Sequence, residues 1–247
     1  MRNVKILLLF FTALVLSCTS VQHISKMNVS YDVPSAQSNA ATDTIQEMIE
    51  PYKSQLDDKM NQVIANVATE LTKKQPESTL GNWTADALMA GVQRQGMSAD
   101  FAACNYGGMR VPVITVGPLT MGELYELSPF DNEIMIVDVP GNIVDTLFQH
   151  IASRNGWPVS SNIRMTMKDG KMVTCLINGK PIDPNKTYKV VTPDYVANGG
   201  DDARFMVGLK RVQIGSLQRD LIIQYAAETA RMGNDINVVL EGRIAKQ

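Results

Sequence analysis

The sequence predicts an α+β domain, a mixed sheet with flanking helices. Three observations point there. Helical and strand periodicities alternate without the regular spacing of βαβ units, one stretch has the turn chemistry of a hairpin, and no internal repeat is present.

From Asp43 onward, Ile45, Met48, Ile49, Tyr52, Leu56, Met60, Val63, Ile64, Val67 and Leu71 recur at three and four residues. That spacing predicts one long helix with an apolar face, kinked or restarted at Pro51. A second helix is expected from Asn82 to about Gln95, closed by Gly96, which adopts the left-handed conformation of a helix cap at no steric cost. Phe101 to Cys104 is a short strand candidate. Val111 to Val116 alternates but contains Pro112, so it is an edge strand or an extended loop. Thr120 followed three residues later by Glu123 is a capping box opening a helix to Leu127. Glu133 to Val139 is rich in β-branched residues and reads as a strand. Gly141 to Ser153 is amphipathic, with Ile143, Val144, Leu147, Phe148 and Ile151 on one side. Ile163 to Lys168, the turn Asp169-Gly170 and Met172 to Ile177 form the hairpin. Tyr188 to Thr192 is a strand, Ser216 to Arg231 a helix, and Ile236 to Leu240 a closing strand.

Ahead of this domain, Arg2 and Lys5 precede an apolar run from Ile6 to Leu16, which ends at Ser17-Cys18. A basic start and a short apolar stretch make a secretory signal, residues 1–17. The junction resembles the bacterial lipobox, which implies a lipidated Cys18 at the mature N-terminus and an exported, membrane-anchored lipoprotein facing the periplasm. Residues 18–42 are polar, with Pro34 and no apolar period, and read as a flexible tether. The domain then occupies 43–247. In an exported chain Cys104 and Cys175 could pair, but each sits in an apolar run and a buried free thiol is equally compatible.

Composition narrows the chemistry. The 247 residues carry 23 Lys+Arg against 25 Asp+Glu, a formal charge of -2, which leaves no basic footprint for nucleic acid. Two histidines, His23 and His150, leave little material for a transition-metal centre and argue against a hydrolase holding its own two-metal site. The sequence contains no Gly-x-Ser-x-Gly, Cys-x-x-Cys, His-Glu-x-x-His or Gly-x-x-x-x-Gly-Lys pattern. His150, late in an amphipathic helix, reads as a surface or helix C-terminal cation.

Polar loops beside strand ends remain. In Asn105-Tyr106-Gly107-Gly108-Met109-Arg110, two glycines let backbone approach a ligand closely, and Arg110 can meet an anion or a ring edge. Asp194 to Asp202 repeats the ingredients with Tyr195, Gly199, Gly200 and Asp201: an aromatic face for a base and a carboxylate for ribose hydroxyls. Gly156-Trp157-Pro158 puts a tryptophan before the hairpin, where core packing and ligand stacking are both open.

Four blocks in order carry a resemblance: Gly81-Asn82-Trp83-Thr84-Ala85-Asp86-Ala87, Asn105 to Arg110, Ser128-Pro129-Phe130-Asp131-Asn132, and Asn198-Gly199-Gly200-Asp201. Over about residues 45–241 the chain resembles the C-terminal domain of the 5'-nucleotidase family, which includes the UDP-sugar hydrolases. The resemblance implies a domain that holds the substrate's base and ribose while a separate metallophosphoesterase domain holds two metals and performs hydrolysis. It assigns Tyr195 and Trp157 to the two aromatic residues that sandwich the base. Asp201 matches the carboxylate on the ribose, Asn105 an amide on the base, and Arg110 an arginine on the ribose and phosphate side. Phe is usual where this chain has Trp157 and Tyr195, and an arginine found in some members is Thr79 here. The metal-binding motifs Asp-x-His, Gly-Asp-x-x-Asp, Gly-Asn-His and Gly-His-x-His do not occur.

The sequence therefore predicts the substrate-binding half of a split 5'-nucleotidase, with no cofactor of its own and with divalent metals on a separately encoded exported metallophosphoesterase. The alternatives are a non-enzymatic nucleoside-binding lipoprotein and a degenerate scaffold domain.

Overall fold

A computed structural model describes residues 40–247; the expected signal, Cys18 and the tether up to residue 39 lie outside the described residues. The first helix, α1 (Ala40–Met60), contains Pro51 as expected. It stops at Met60, not at Leu71. Val63-Ile64-Ala65-Asn66-Val67 is instead strand β1 (Val63–Val67), with Ala65 and Val67 buried and Asn66 exposed between them. Three of its five residues are β-branched, and pairing with β5 (Gly117–Thr120) overrides the helical spacing. Leu71 belongs to β2 (Leu71–Thr72), paired with β4 (Val113–Ile114), the edge segment expected around Pro112. On α1, Ile49, Tyr52 and Leu56 are exposed, so that part of the apolar face is not core.

Residues 49–247 form one unit, organised around a four-stranded sheet in the order β11-β6-β10-β3. Strand β6 (Glu133–Pro140) runs antiparallel to both β10 (Thr187–Pro193) and β11 (Arg211–Leu217), and β10 runs parallel to β3 (Phe101–Ala102). Strand alternation gives β6 two buried faces. Ile134 and Ile136 join Leu88 and Val92 of helix α2 (Thr79–Arg94) and Leu221 of the last helix, while Val137 and Val139 join Val144, Leu147, Phe148 and Ile151. The latter four residues project from helix α4 (Gly141–Ser153), which packs between this sheet and the second one.

The second sheet, β12-β7-β8-β9, contains the expected hairpin of β7 (Ile163–Lys168) and β8 (Lys171–Ile177). Asp169 and Gly170 at φ 49° and 73° supply the paired left-handed residues that a two-residue turn needs. Its edges are β9 (Lys180–Pro181) and β12 (Ile244–Lys246). Helix α3 (Met121–Leu127) has the expected reciprocal capping box between Thr120 and Glu123. Helix α2 starts earlier than expected, capped by Ser78.

Two expectations fail near the C-terminus. Ile236–Leu240 is not a strand: Ile236 makes a single bridge to Val67, and Val239 and Leu240 are exposed. The closing strand is β12. Strand β11 was not expected, because its largely exposed sequence and Gly215 at φ 70° mask the pattern. Helix α6 consequently begins at Gln218 (Gln218–Arg231). Cys104 and Cys175 are free, buried thiols in different core clusters, and burial pushes both up to about 12. No described helix is long and apolar enough to cross a membrane.

Candidate functional site

One edge of the central sheet collects four chain segments. Strands β3 and β10 end there, β6 starts there with Ile134 opposite Pro193, and β11 ends there with Leu217 opposite Glu133. The connections at that edge are the segment Asn105–Arg110 after β3, the segment Ser128–Asn132 before β6, and the segment after β10. The last contains the short helix α5 (Asp194–Ala197) and a 3-10 turn at Gly200–Asp202. Between them lies a cavity of about 260 Å³ lined by Asn105, Gly107, Gly108, Arg110, Phe130, Asn132, Tyr195 and Asp201. The ends of strands at one sheet edge, where loops from distant parts of the chain meet, are a common place for ligands in α/β structures.

Asp201 is the centre of the polar network. Asn105 Nδ2 donates to its Oδ2 at 2.8 Å, Tyr195 Oη donates to its Oδ1 at 3.0 Å, and its own N–H donates to Tyr195 Oη at 3.2 Å. Asp201 sits at φ 50°, a left-handed conformation that Asp tolerates better than most residues. Gly199 precedes it at φ 91°. Gly200 has a different role: a Cβ there would fall 2.5 Å from Cε1 and Cζ of Tyr195, so the tyrosine ring lies directly on the Gly200 backbone. Gly200 thus serves the tyrosine as much as any ligand. Tyr195 keeps 44 % exposure.

Cations gather at the Arg110 end. The Arg110 guanidinium lies 5.5 Å from the Phe130 ring centroid and has no carboxylate partner among the described residues. Lys73 Nζ donates to the Met109 carbonyl at 2.7 Å and stands 4.2 Å over the Tyr106 ring. Burial and then the nearby Arg110 charge push the Lys73 ammonium below its ordinary value. Gly107 and Gly108 line the cavity beside Asn105, and a Cβ on Gly108 would stand 3.2 Å from Asn105 Oδ1.

Of the sequence-predicted residues, Asn105, Arg110, Tyr195 and Asp201 converge here, and Trp157 does not. Trp157 is 3 % exposed within the core, edge-on to His150 with centroids 5.2 Å apart. Its segment is tied to the sheet by the bridge of Val159 to Ala103, and the indole is packed in the core cluster with Phe148 and Ile151. The second aromatic on the cavity is Phe130, 45 % exposed, with Asn132 two residues on. The signal for both was the Ser128–Asn132 block, where a large apolar side chain stands in a loop behind Pro129.

His150 stands in the last turn of α4, one of the two places expected, but not as a surface cation. It packs edge-on against Trp157 and Phe205, its Nε2 is buried without a partner, and its value is lowered by burial first and the Arg154 charge second. Thr79 is also occupied within the fold: its hydroxyl accepts from the Thr72 N–H at 2.9 Å.

The cavity does not fit a divalent metal. Asp201 is its single carboxylate and no histidine lines it, too few donors for a divalent ion. Among the described residues no group of three or more His, Cys, Asp or Glu side chains is placed to hold a metal ion.

Residues 37–208 match the family model described as "5'-nucleotidase, C-terminal domain". Protein UshA of Yersinia enterocolitica is 33% identical over 154 residues, covering 60% of this chain and 27% of that protein. A 5'-nucleotidase of Vibrio vulnificus is 28% identical over 162 residues, covering 63% of this chain and 29% of that protein. The chain thus spans between a quarter and a third of the length of these curated relatives. Among solved structures, the 5'-nucleotidase precursor from Thermus thermophilus superimposes with a TM-score of 0.71 at 26% identity, over 83% of this chain and 43% of that one. The family match over most of the domain, the superposition and the convergence of the expected residues on one cavity agree: this chain belongs to the 5'-nucleotidase C-terminal domain family.

Proposed function

We propose that this chain is the nucleoside- and nucleotide-binding half of a split 5'-nucleotidase. It positions base and ribose, and a separately encoded exported metallophosphoesterase supplies the two-metal centre and the attacking water. The observation that supports this most is that two half-exposed aromatic rings, Phe130 and Tyr195, and the Asp201–Asn105 pair share one cavity.

Each group has a physical task. A base stacks on aromatic faces whatever its identity, because every base has a π-face. Each Asp201 oxygen accepts one protein hydrogen bond and keeps a lone pair, so the carboxylate can accept both ribose hydroxyls. Arg110 and Lys73, neither paired with a carboxylate among the described residues, suit the phosphate. Holding the nucleoside fixes the scissile ester relative to a second surface, and such positioning is itself worth a large part of a catalytic barrier. In the cell the chain is a lipoprotein facing the periplasm, cleaved after residue 17 and anchored through Cys18, with the polar segment beyond it giving the domain reach.

Phosphate release from AMP tests the division of labour. The purified chain is expected to release none, and addition of the exported metallophosphoesterase is expected to start turnover that Tyr195→Ala suppresses. Full activity from this chain alone overturns the proposal. Thr79, which stands where some members have an arginine and is used inside the fold, favours a second reading, nucleoside capture without hydrolysis. Adenosine binding with no partner-dependent turnover would select it.

A further inference from the structure

The segment that brings Phe130 and Asn132 to the cavity has no regular structure, yet three contacts from the first two residues of α6 hold it. The Gln218 N–H donates to the Asn132 carbonyl at 2.8 Å. Arg219 Nη1 donates to the Ser128 carbonyl at 3.2 Å, and its Nη2 donates to Asp131 Oδ1 at 2.6 Å. The same guanidinium lies 4.3 Å over the Tyr125 ring at the end of α3. The tied residues, 128, 131 and 132, bracket or include the two that line the cavity, while Arg219 itself does not line it.

The exposures are unequal. The Arg219 side chain is 9% exposed and that of Asp131 77%. Burying a guanidinium is costly, its Nε is left without a partner, and an ion pair whose carboxylate is mostly in water returns little stability. A buried cation with so small a thermodynamic return makes sense as a device that fixes geometry. Its planar fork holds a main-chain carbonyl and a side-chain carboxylate from two nitrogens in fixed relative positions, whereas an ammonium would have to serve both acceptors from one nitrogen on a flexible stem.

We infer that Arg219 is a positioning residue: through Ser128 and Asp131 it locks the 128–132 loop so that Phe130 and Asn132 stand at the cavity before ligand arrives. Part of the ligand affinity is then preorganisation supplied from α6. The consequence for binding rests on the nucleotide reading of the cavity, whereas the lock itself is a property of the free protein.

The test uses two variants of the full chain and a readout for each half of the inference. In Arg219→Lys, whose loop sequence is unaltered, chymotrypsin cleavage after Phe130 is followed by mass spectrometry in the absence of ligand. Cleavage is expected to rise about fivefold or more, with the urea midpoint changed far less. In Asp131→Asn, which alters an exposed residue, calorimetry is expected to show adenosine and AMP binding weakened about three- to tenfold at unchanged thermal stability. Unchanged cleavage after Phe130 in Arg219→Lys overturns the lock. So does a rise matched at every other cleavage site with a parallel loss of global stability, since Arg219 would then be structural only. Wild-type affinity in Asp131→Asn, where wild type binds and Tyr195→Ala does not, overturns the preorganisation. Absence of binding in wild type contradicts the nucleotide reading, and the cleavage arm still judges the lock.

Discussion

Asn105 donates to Asp201 across 96 residues of chain, and the bond joins the turn after β3 to the turn after β10. These strands are parallel neighbours in the central sheet, so the sheet register sets how close the two turns come. The Asn105 side chain is 5% exposed and its Oδ1 is buried without a partner. An amide held with one orphaned acceptor fixes the carboxylate at a cost to stability, as binding sites commonly do.

Asp201→Asn is expected to keep the backbone, because Asn also tolerates the left-handed conformation, while removing the acceptor charge. Adenosine binding should fall by at least about tenfold with little loss of thermal stability. Gly200→Ala should act on the same site from behind. Its methyl would displace the Tyr195 ring, which is free to swing into solvent, so affinity should fall more than stability. Paired calorimetry and thermal melts check both.

Phe130 and Trp157 should respond in opposite ways. Phe130→Ala, at a half-exposed position, is expected to change stability by less than about 0.5 kcal/mol and to weaken nucleoside binding by about 1–3 kcal/mol. Trp157→Ala empties a core position and is expected to cost about 3–5 kcal/mol in denaturant melts. The reversed pattern would return Trp157 to the ligand.

The difference between these two aromatics marks what was legible in the sequence. The capping box at Thr120, the Asp169-Gly170 hairpin and the helix Gly141–Ser153 are local patterns, and the structure follows them. The burial of Trp157 depends on Val159 bridging Ala103, a contact between segments far apart in the chain, which local pattern does not encode. The same holds at β1: Val63 and Val67 fit a helical spacing of four and, with Ala65 between them, an alternating one, and only the partner strand β5 decides. Tyr195, Asp201, Asn105 and Arg110 were legible through resemblance and residue chemistry, whereas Arg219 and Gln218 lie outside every recognisable motif.

Arg243, 2% exposed, ties the C-terminal strand to the body of the domain: it donates to both oxygens of Asp86 at 2.8 and 2.6 Å, to Glu241, and to the Val159 carbonyl. Asp86→Ala strips the main counter-charge from a buried guanidinium and is expected to cost about 3 kcal/mol. Arg243→Met in that background should recover part of the loss. A denaturant double-mutant cycle measures the coupling, and additive losses would mean the two do not act as a pair.

His150 is expected to make stability depend on pH. Its folded value is lowered from 6.5, by burial and then by Arg154, partly offset by the Asp201 carbonyl and the Asp202 and Asp201 charges. A base that is harder to protonate when folded favours unfolding in acid, because the unfolded chain binds the extra proton. Wild type should therefore lose stability as pH falls below 6.5, and His150→Gln should lose less over the same interval. Melts of the two proteins across that range check the sign.

The most direct measurement is a calorimetric titration of the purified chain with adenosine and with AMP, repeated for Tyr195→Ala and Arg110→Ala. A nucleotide-binding domain of the kind proposed binds both ligands at one site, AMP more tightly. Tyr195→Ala should weaken both, and Arg110→Ala should bring AMP down toward adenosine. No binding of either ligand, or wild-type binding by Tyr195→Ala, would contradict the assignment of the cavity.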